Sequence, residues 1–145
     1  MEVCKGMERE ITRIAHKHGF DLAAPETHLR LTNGGYMPLV IEKLSEKRIS
    51  VCHYHEQNGD LCQDPEIVFF MTAAGWIPIE ITQPSFMLFG REMGGYRTCA
   101  GLNADGDAIV GIKPLTMKSV AALARTWSTN LHEQGWYKNA IKDES

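Results

Sequence analysis

ISVCHYHEQNGDLCQDPEIVFFMT, residues 49–72, sets two β-prone runs on either side of a turn-rich stretch. From Ile49 to His55, the residues Ile49, Val51, His53 and His55 alternate with Ser50, Cys52 and Tyr54. That two-residue period belongs to a strand with distinct faces. Glu66 to Thr72, EIVFFMT, is β-branched and aromatic and reads as the returning strand. Between them EQNGDLCQDP carries Asn58-Gly59, a tight-turn pair, and is expected to form the loop of a hairpin.

Downstream, Trp76 to Thr82 places Ile77, Ile79 and Ile81 on one face and Trp76, Pro78 and Glu80 on the other. FMLFG at 86–90 and AIVGI at 108–112 read as two more strands, with Gly94-Gly95 and Asp105-Gly106 as turns. Upstream, Tyr36 to Leu44 reads as a strand after the Asn33-Gly34-Gly35 punctuation, with Pro38 marking a strand start or an edge. The termini have a different period. Met7, Ile11, Ile14 and Ala15 form a helical stripe that Gly19 and Phe20 close, within a helix expected over residues 2–18. From Thr116, read as an N-cap, Val120, Leu123, Ala124, Trp127 and Leu131 form a second stripe that ends near Gly135. Helix, five or six strands, helix, without a βα alternation, predicts one α+β domain over residues 1–145. Its mainly antiparallel sheet carries the terminal helices on one face.

The composition fits that reading. The chain has 145 residues, 43% hydrophobic and 23% charged, enough for one core without disulfides or a structural metal. Cys4, Cys52, Cys62 and Cys99 show no CxxC spacing and read as free thiols of a reducing compartment. No apolar run has the length of a membrane span, and MEVCKGMERE does not resemble a signal peptide, so a cytoplasmic location is expected. A net charge of −3 argues against general nucleic-acid binding. The charge is uneven: no Lys or Arg occurs between Arg48 and Arg91, whereas Glu56, Asp60, Asp64, Glu66 and Glu80 do. A surface built from that segment is acidic, either as a solvated face or as a docking patch for a basic partner.

The cluster at 51–70 holds the residue types of several chemistries. Cys52, His53, His55 and Cys62 are zinc ligands by type, but strand alternation turns Cys52 away from the two histidines. His53 and His55 with Asp60, Asp64 or Glu66 have the donors of a divalent-metal hydrolase or nuclease, at a spacing that matches no established metal motif. Cys52 or Cys62 as a nucleophile lacks the helix N-terminus or oxyanion loop that would activate it. NGGY and MGGY lack the phosphate-cradling patterns and read as turns. No cofactor is expected. Trp76, opposite the isoleucines, and Trp136 with Tyr137, after the second helix, are candidate surface anchors, beside Glu56, Asn58, Asp60, Asp64 and Glu66.

HYHEQNGDLCQDPEIVF (His53, Tyr54, Glu56, Gln57, Asn58, Gly59, Asp60, Asp64, Pro65, Glu66, Phe69) and the ending with Trp127, Asn130, Gln134, Gly135 and Trp136 carry a resemblance. The chain resembles an uncharacterised family of small proteins encoded by bacterial plasmids, integrative elements and phages, over about residues 36–82 and 116–137. Residues 83–112, with SFMLFGREMGGY, depart from it in being more apolar. The resemblance implies no assigned activity but a setting in host defence or element maintenance. The expected function is a non-enzymatic accessory protein that binds a host protein or ribonucleoprotein, as an inhibitor of an immune nuclease such as a CRISPR effector. The alternatives are the metal-dependent hydrolase and a dimerising module in which the apolar run at 83–90 extends a sheet between two copies.

Overall fold

A computed structural model describes residues 1–24 and 27–143. In chain order the elements are α1 (Lys5–Lys17), β1 (His28–Thr32), β2 (Leu39–Lys43), β3 (Arg48–Gln57), β4 (Asp60–Thr72), β5 (Gly75–Leu88) and β6 (Arg91–Thr98). They continue with β7 (Ala100–Leu102), β8 (Ile109–Ile112), α2 (Pro114–Glu133), α3 (Trp136–Asn139) and β9 (Ile141–Lys142). Seven strands form one antiparallel sheet in the order β6-β5-β4-β3-β2-β1-β9, and β7 pairs with β8 in a small hairpin. The chain is therefore α+β, with a helix before the sheet and a helix after it.

Register explains the core. Leu29, Ile41, Val51, Ile67 and Ile81 face one another across β1 to β5, and all are buried. Because directly opposed residues share a face, this row is one continuous apolar band. Met7, Ile11 and Ile14 of α1 and Val120, Ala124 and Leu131 of α2 join it in one cluster, and the two helices also contact each other. Burying that many aliphatic side chains, at about 25 cal/mol per Å² of apolar surface, is what holds sheet and helices together.

The helices end as their local chemistry dictates. Gly19 takes φ 70° after α1, and the Phe20 amide donates back to the Ala15 carbonyl at 2.9 Å. Gly135 takes φ 77° after α2. The start of α2 corrects the expected cap. Pro114 rather than Thr116 opens the helix, since proline lacks the N–H that would be orphaned there and has the right φ, and Lys113 is the N-cap.

Several strand boundaries also differ from expectation. β1 was not foreseen: HLRLT looks polar, but Leu29 and Leu31 alone face the core. The strand expected over 36–44 is confined to Leu39–Lys43, because the Tyr36 amide is engaged in a turn with the Asn33 carbonyl. EQNGDLCQDP is not a loop; β3 and β4 run through it to a two-residue turn at Asn58-Gly59. FMLFG is no separate strand, since β5 extends to Leu88 and turns at Phe89-Gly90. Gly94-Gly95 is inside β6 rather than a turn, opposite a bulge in β5. Among the described residues no helix is long and apolar enough to cross a membrane.

Candidate functional site

The ladder between β4 and β5 runs from Thr72–Gly75 to Glu66–Thr82 and goes no further. Both strands continue, each paired on its other side: β4 with β3 as far as Asp60, and β5 with β6 as far as Leu88. Two hairpin arms therefore part from the same end of the sheet. The cause is local. Pro65 and Pro84 sit just past the last pair, and neither has an N–H to donate to a ladder. The register also shifts at both places, opposite Cys52–Tyr54 and between Gln83 and Phe86, and such bulges bend strands apart. The Asp64-Pro65 peptide is cis.

The first arm, residues 54–65, is polar. Glu56, Asn58, Asp60 and Leu61 are exposed at its tip, and the turn residues Asn58 and Gly59 take φ 54° and 86°. The second arm, residues 83–97, is apolar along the end of β5 and at its turn, with Arg91, Glu92 and Arg97 exposed on β6. Phe86, Met87, Leu88, Phe89, Met93 and Tyr96 are all exposed, Phe89 at 95%. Phe89 and Gly90 close it with φ 51° and 77°, the same turn as the first. β6 is the outer strand of the sheet, so its far side carries no ladder.

The cluster at 51–70 is dispersed over both faces of the sheet and along the first arm. His53 lies on the helix-covered face, opposite Leu39, with its ring 5.3 Å from Trp127 and 5.5 Å from Trp136. Burial lowers its pKa below the usual 6.5, so it is neutral. Cys52 belongs to the other face, where its thiol donates to the His53 carbonyl. Burial, with Glu66 beside it, pushes that thiol up to about 12, which keeps it protonated and unreactive. Glu66 accepts a 2.6 Å bond from the Ser50 hydroxyl, while His55 Nδ1 and Asp64 stand 3.6 Å apart. Among the described residues no group of three or more His, Cys, Asp or Glu side chains is placed to hold a metal ion.

Two expected anchors are corrected. Trp76 is only 3% exposed and packs on Phe69, because the bulge at Ile79 resets the alternation and Gly75–Ile79 are all buried. Trp136 is 0% exposed, with its indole N–H donating to the Gln134 side chain. Tyr137 is half-buried, and its ring is covered by the cations of Arg13 and Lys17. The sequence reading marked the apolar run at 83–90 as a strand able to pair with a second copy, but not the hairpin tip at Phe89-Gly90 that puts it in solvent. The available signal was Phe89-Gly90 itself, a dipeptide at hairpin spacing.

The two stretches that carried the resemblance meet in space. His53 and Pro65 from the first and Trp127, Asn130 and Gln134 from the second border one cavity beside α2. No curated protein and no solved structure matches the chain. A family model does match, over residues 9–137, spanning both arms and that cavity. The chain belongs to the family described as a domain of unknown function, DUF6908.

Proposed function

We propose that this chain is a non-enzymatic accessory protein of a phage or mobile element that binds a host protein through its two arms. The observation that carries the reading is the apolar arm. A folded domain hides large apolar side chains, and a contiguous exposed set on one hairpin marks a binding surface. Here Phe86, Met87, Leu88, Phe89 and Met93 stand in solvent while Ile81, on the same strand, is wholly buried. Phe89 strengthens the point: a bulky residue at φ 51° costs of order 1–3 kcal/mol, and its side chain is 95% exposed.

Charge narrows the partner. The neighbouring arm presents Glu56 and Asp60 with no Lys or Arg from residue 49 to 90. An acidic arm beside an apolar one complements a protein whose nucleic-acid groove is basic, which favours a bacterial immune nuclease, with the carboxylates standing in for backbone phosphates. The test is a cleavage assay with purified effector nucleases, wild type beside Phe89→Asn. Stoichiometric inhibition by the wild type, lost in the variant, is the expected result. Light scattering belongs beside it: a stable dimer dispersed by Phe89→Asn would mean that the arm serves a second copy instead, and would overturn the reading.

A further inference from the structure

The chain holds two Asn-Gly dipeptides, Asn33-Gly34 and Asn58-Gly59. Such a pair has a reaction of its own. The carboxamide carbon and the next backbone nitrogen can close a five-membered ring, and glycine has no side chain to obstruct the approach. The fold places the two dipeptides in opposite circumstances.

Asn33 is buried just past β1. Its Nδ2, the nitrogen that the reaction would expel, donates to the carbonyl of Gln134 at 2.9 Å, at the end of α2. Its own backbone carbonyl accepts the Tyr36 N–H at 3.1 Å. Ring closure there would have to break the first bond and open the contact with the end of α2. Asn58, by contrast, is exposed at the tip of the first arm. Among the described residues neither its carboxamide nor the Gly59 N–H has a hydrogen-bond partner. A Cβ added at Gly59 would meet nothing within 4 Å, so the space around the attacking nitrogen is open. Only the last pair of the β3–β4 ladder, Gln57 with Asp60, closes the turn, and a ladder end at an exposed tip opens at little cost.

We propose that Asn58-Gly59 is a self-modification site, at which the first arm exchanges an amide for a carboxylate. The Gly59 nitrogen gives its proton to solvent hydroxide and attacks Asn58 Cγ. The N–Cγ bond forms, the Cγ–Nδ2 bond breaks, and Nδ2 takes up a proton and leaves as ammonia. Water then adds to one of the two ring carbonyls and cleaves its bond to nitrogen. Opening at Cγ gives an aspartate at position 58, and opening at the backbone carbonyl gives an isoaspartate, whose chain runs on through Cγ. The first product sets a new negative charge between the exposed Glu56 and Asp60 and keeps the turn, since aspartate tolerates the left-handed region. The second lengthens the backbone of a two-residue turn and breaks the pairing of Gln57 with Asp60. Either way the charge of the acidic arm rises with the age of the chain. The site does not rest on the partner reading, and its failure would leave that reading in place.

The test is incubation of the full folded chain at mildly alkaline pH, followed by digestion and mass spectrometry. Isoaspartate is labelled by protein isoaspartyl methyltransferase with S-adenosylmethionine. The amide-to-acid mass change should build up at Asn58 about tenfold or more faster than at Asn33, whose reaction waits on local opening. In a urea-unfolded sample the two dipeptides should react at comparable rates, which assigns the difference to the fold. Asn58→Gln, whose ring would need six members, should lose the isoaspartate label from the tip peptide; if that variant does not fold, the comparison of folded with unfolded wild type carries the test alone. Asn33 reacting as fast as Asn58 in the folded chain would overturn the proposal. So would an Asn58 that stays intact, or a label in the tip peptide that survives Asn58→Gln.

Discussion

Asn58-Gly59 and Phe89-Gly90 close neighbouring arms with the same backbone, a two-residue turn with both φ angles positive. At the first tip the sequence supplies what that turn asks for, since asparagine tolerates the left-handed region and glycine is free in it. At the second it supplies a phenyl ring, the least suited partner for such a glycine and the most exposed large apolar side chain of the molecule. A turn that serves only to reverse the chain is filled by turn chemistry. The second departs from it, and the exposed Met87, Leu88 and Met93 around Phe89 are the surface on which the proposed partner binding rests.

The largest effect that bears on this contrast lies at the common root of the arms. Phe69→Ala empties a wholly buried site in β4 and should cost about 3–5 kcal/mol, taking both arms with it, as a thermal melt would read. If the melt barely moved, the arms would not depend on the packed sheet. Next comes Phe89→Asn. If the proposed function holds, inhibition of the proposed partner nuclease should fall more than about 30-fold, the 2 kcal/mol of an interface hot spot, while the melting temperature stays level or rises. The reciprocal change, Asn58→Phe, should cost about 1–2 kcal/mol through its φ of 54° and leave inhibition nearly intact, by melt and cleavage assay together. Charge reversal in the first arm, Glu56→Lys with Asp60→Lys, should slow association about tenfold at low salt and much less at high salt, by surface plasmon resonance. An effect that ignored salt would remove the acidic arm from the account.

The smallest effect concerns the body under the helices. Burial lowers the pKa of His53, so the unfolded chain takes up a proton at this residue more readily than the folded one. Stability is therefore full above the unfolded value of 6.5 and declines as pH falls below it. Melts from about pH 7.5 to about pH 5.5 should show that decline, and His53→Gln should flatten part of it. His18, whose pKa burial also lowers, supplies a further part.

Periodicity made the body legible. The stripes of α1 and α2 and the alternation in β3 and β5 each fix a face, and those faces are the core. What the sequence hid was the consequence of bulges. The alternation that put Trp76 outside fails because Ile79 is an extra residue in the ladder, and no single-residue signal announces it. The polar cluster around His53 to Glu66 looked like chemistry because it is dense along the chain, but alternation and the Asp64-Pro65 bulge spread it over two faces. Apolar composition at 83–90 pointed to a strand extending a sheet between copies, whereas past Pro84 the run leaves β4, stays paired with β6 and stands in solvent. Distance along the chain likewise concealed the meeting of His53 with Trp127 and Trp136.

The most direct test of the account is the paired measurement on Phe89→Asn: melting temperature and inhibition of the partner nuclease in the same preparation. The account predicts a protein at least as stable as the wild type that no longer inhibits. A variant that loses stability and keeps its inhibition would show that the phenyl ring belongs to the fold, and would contradict it.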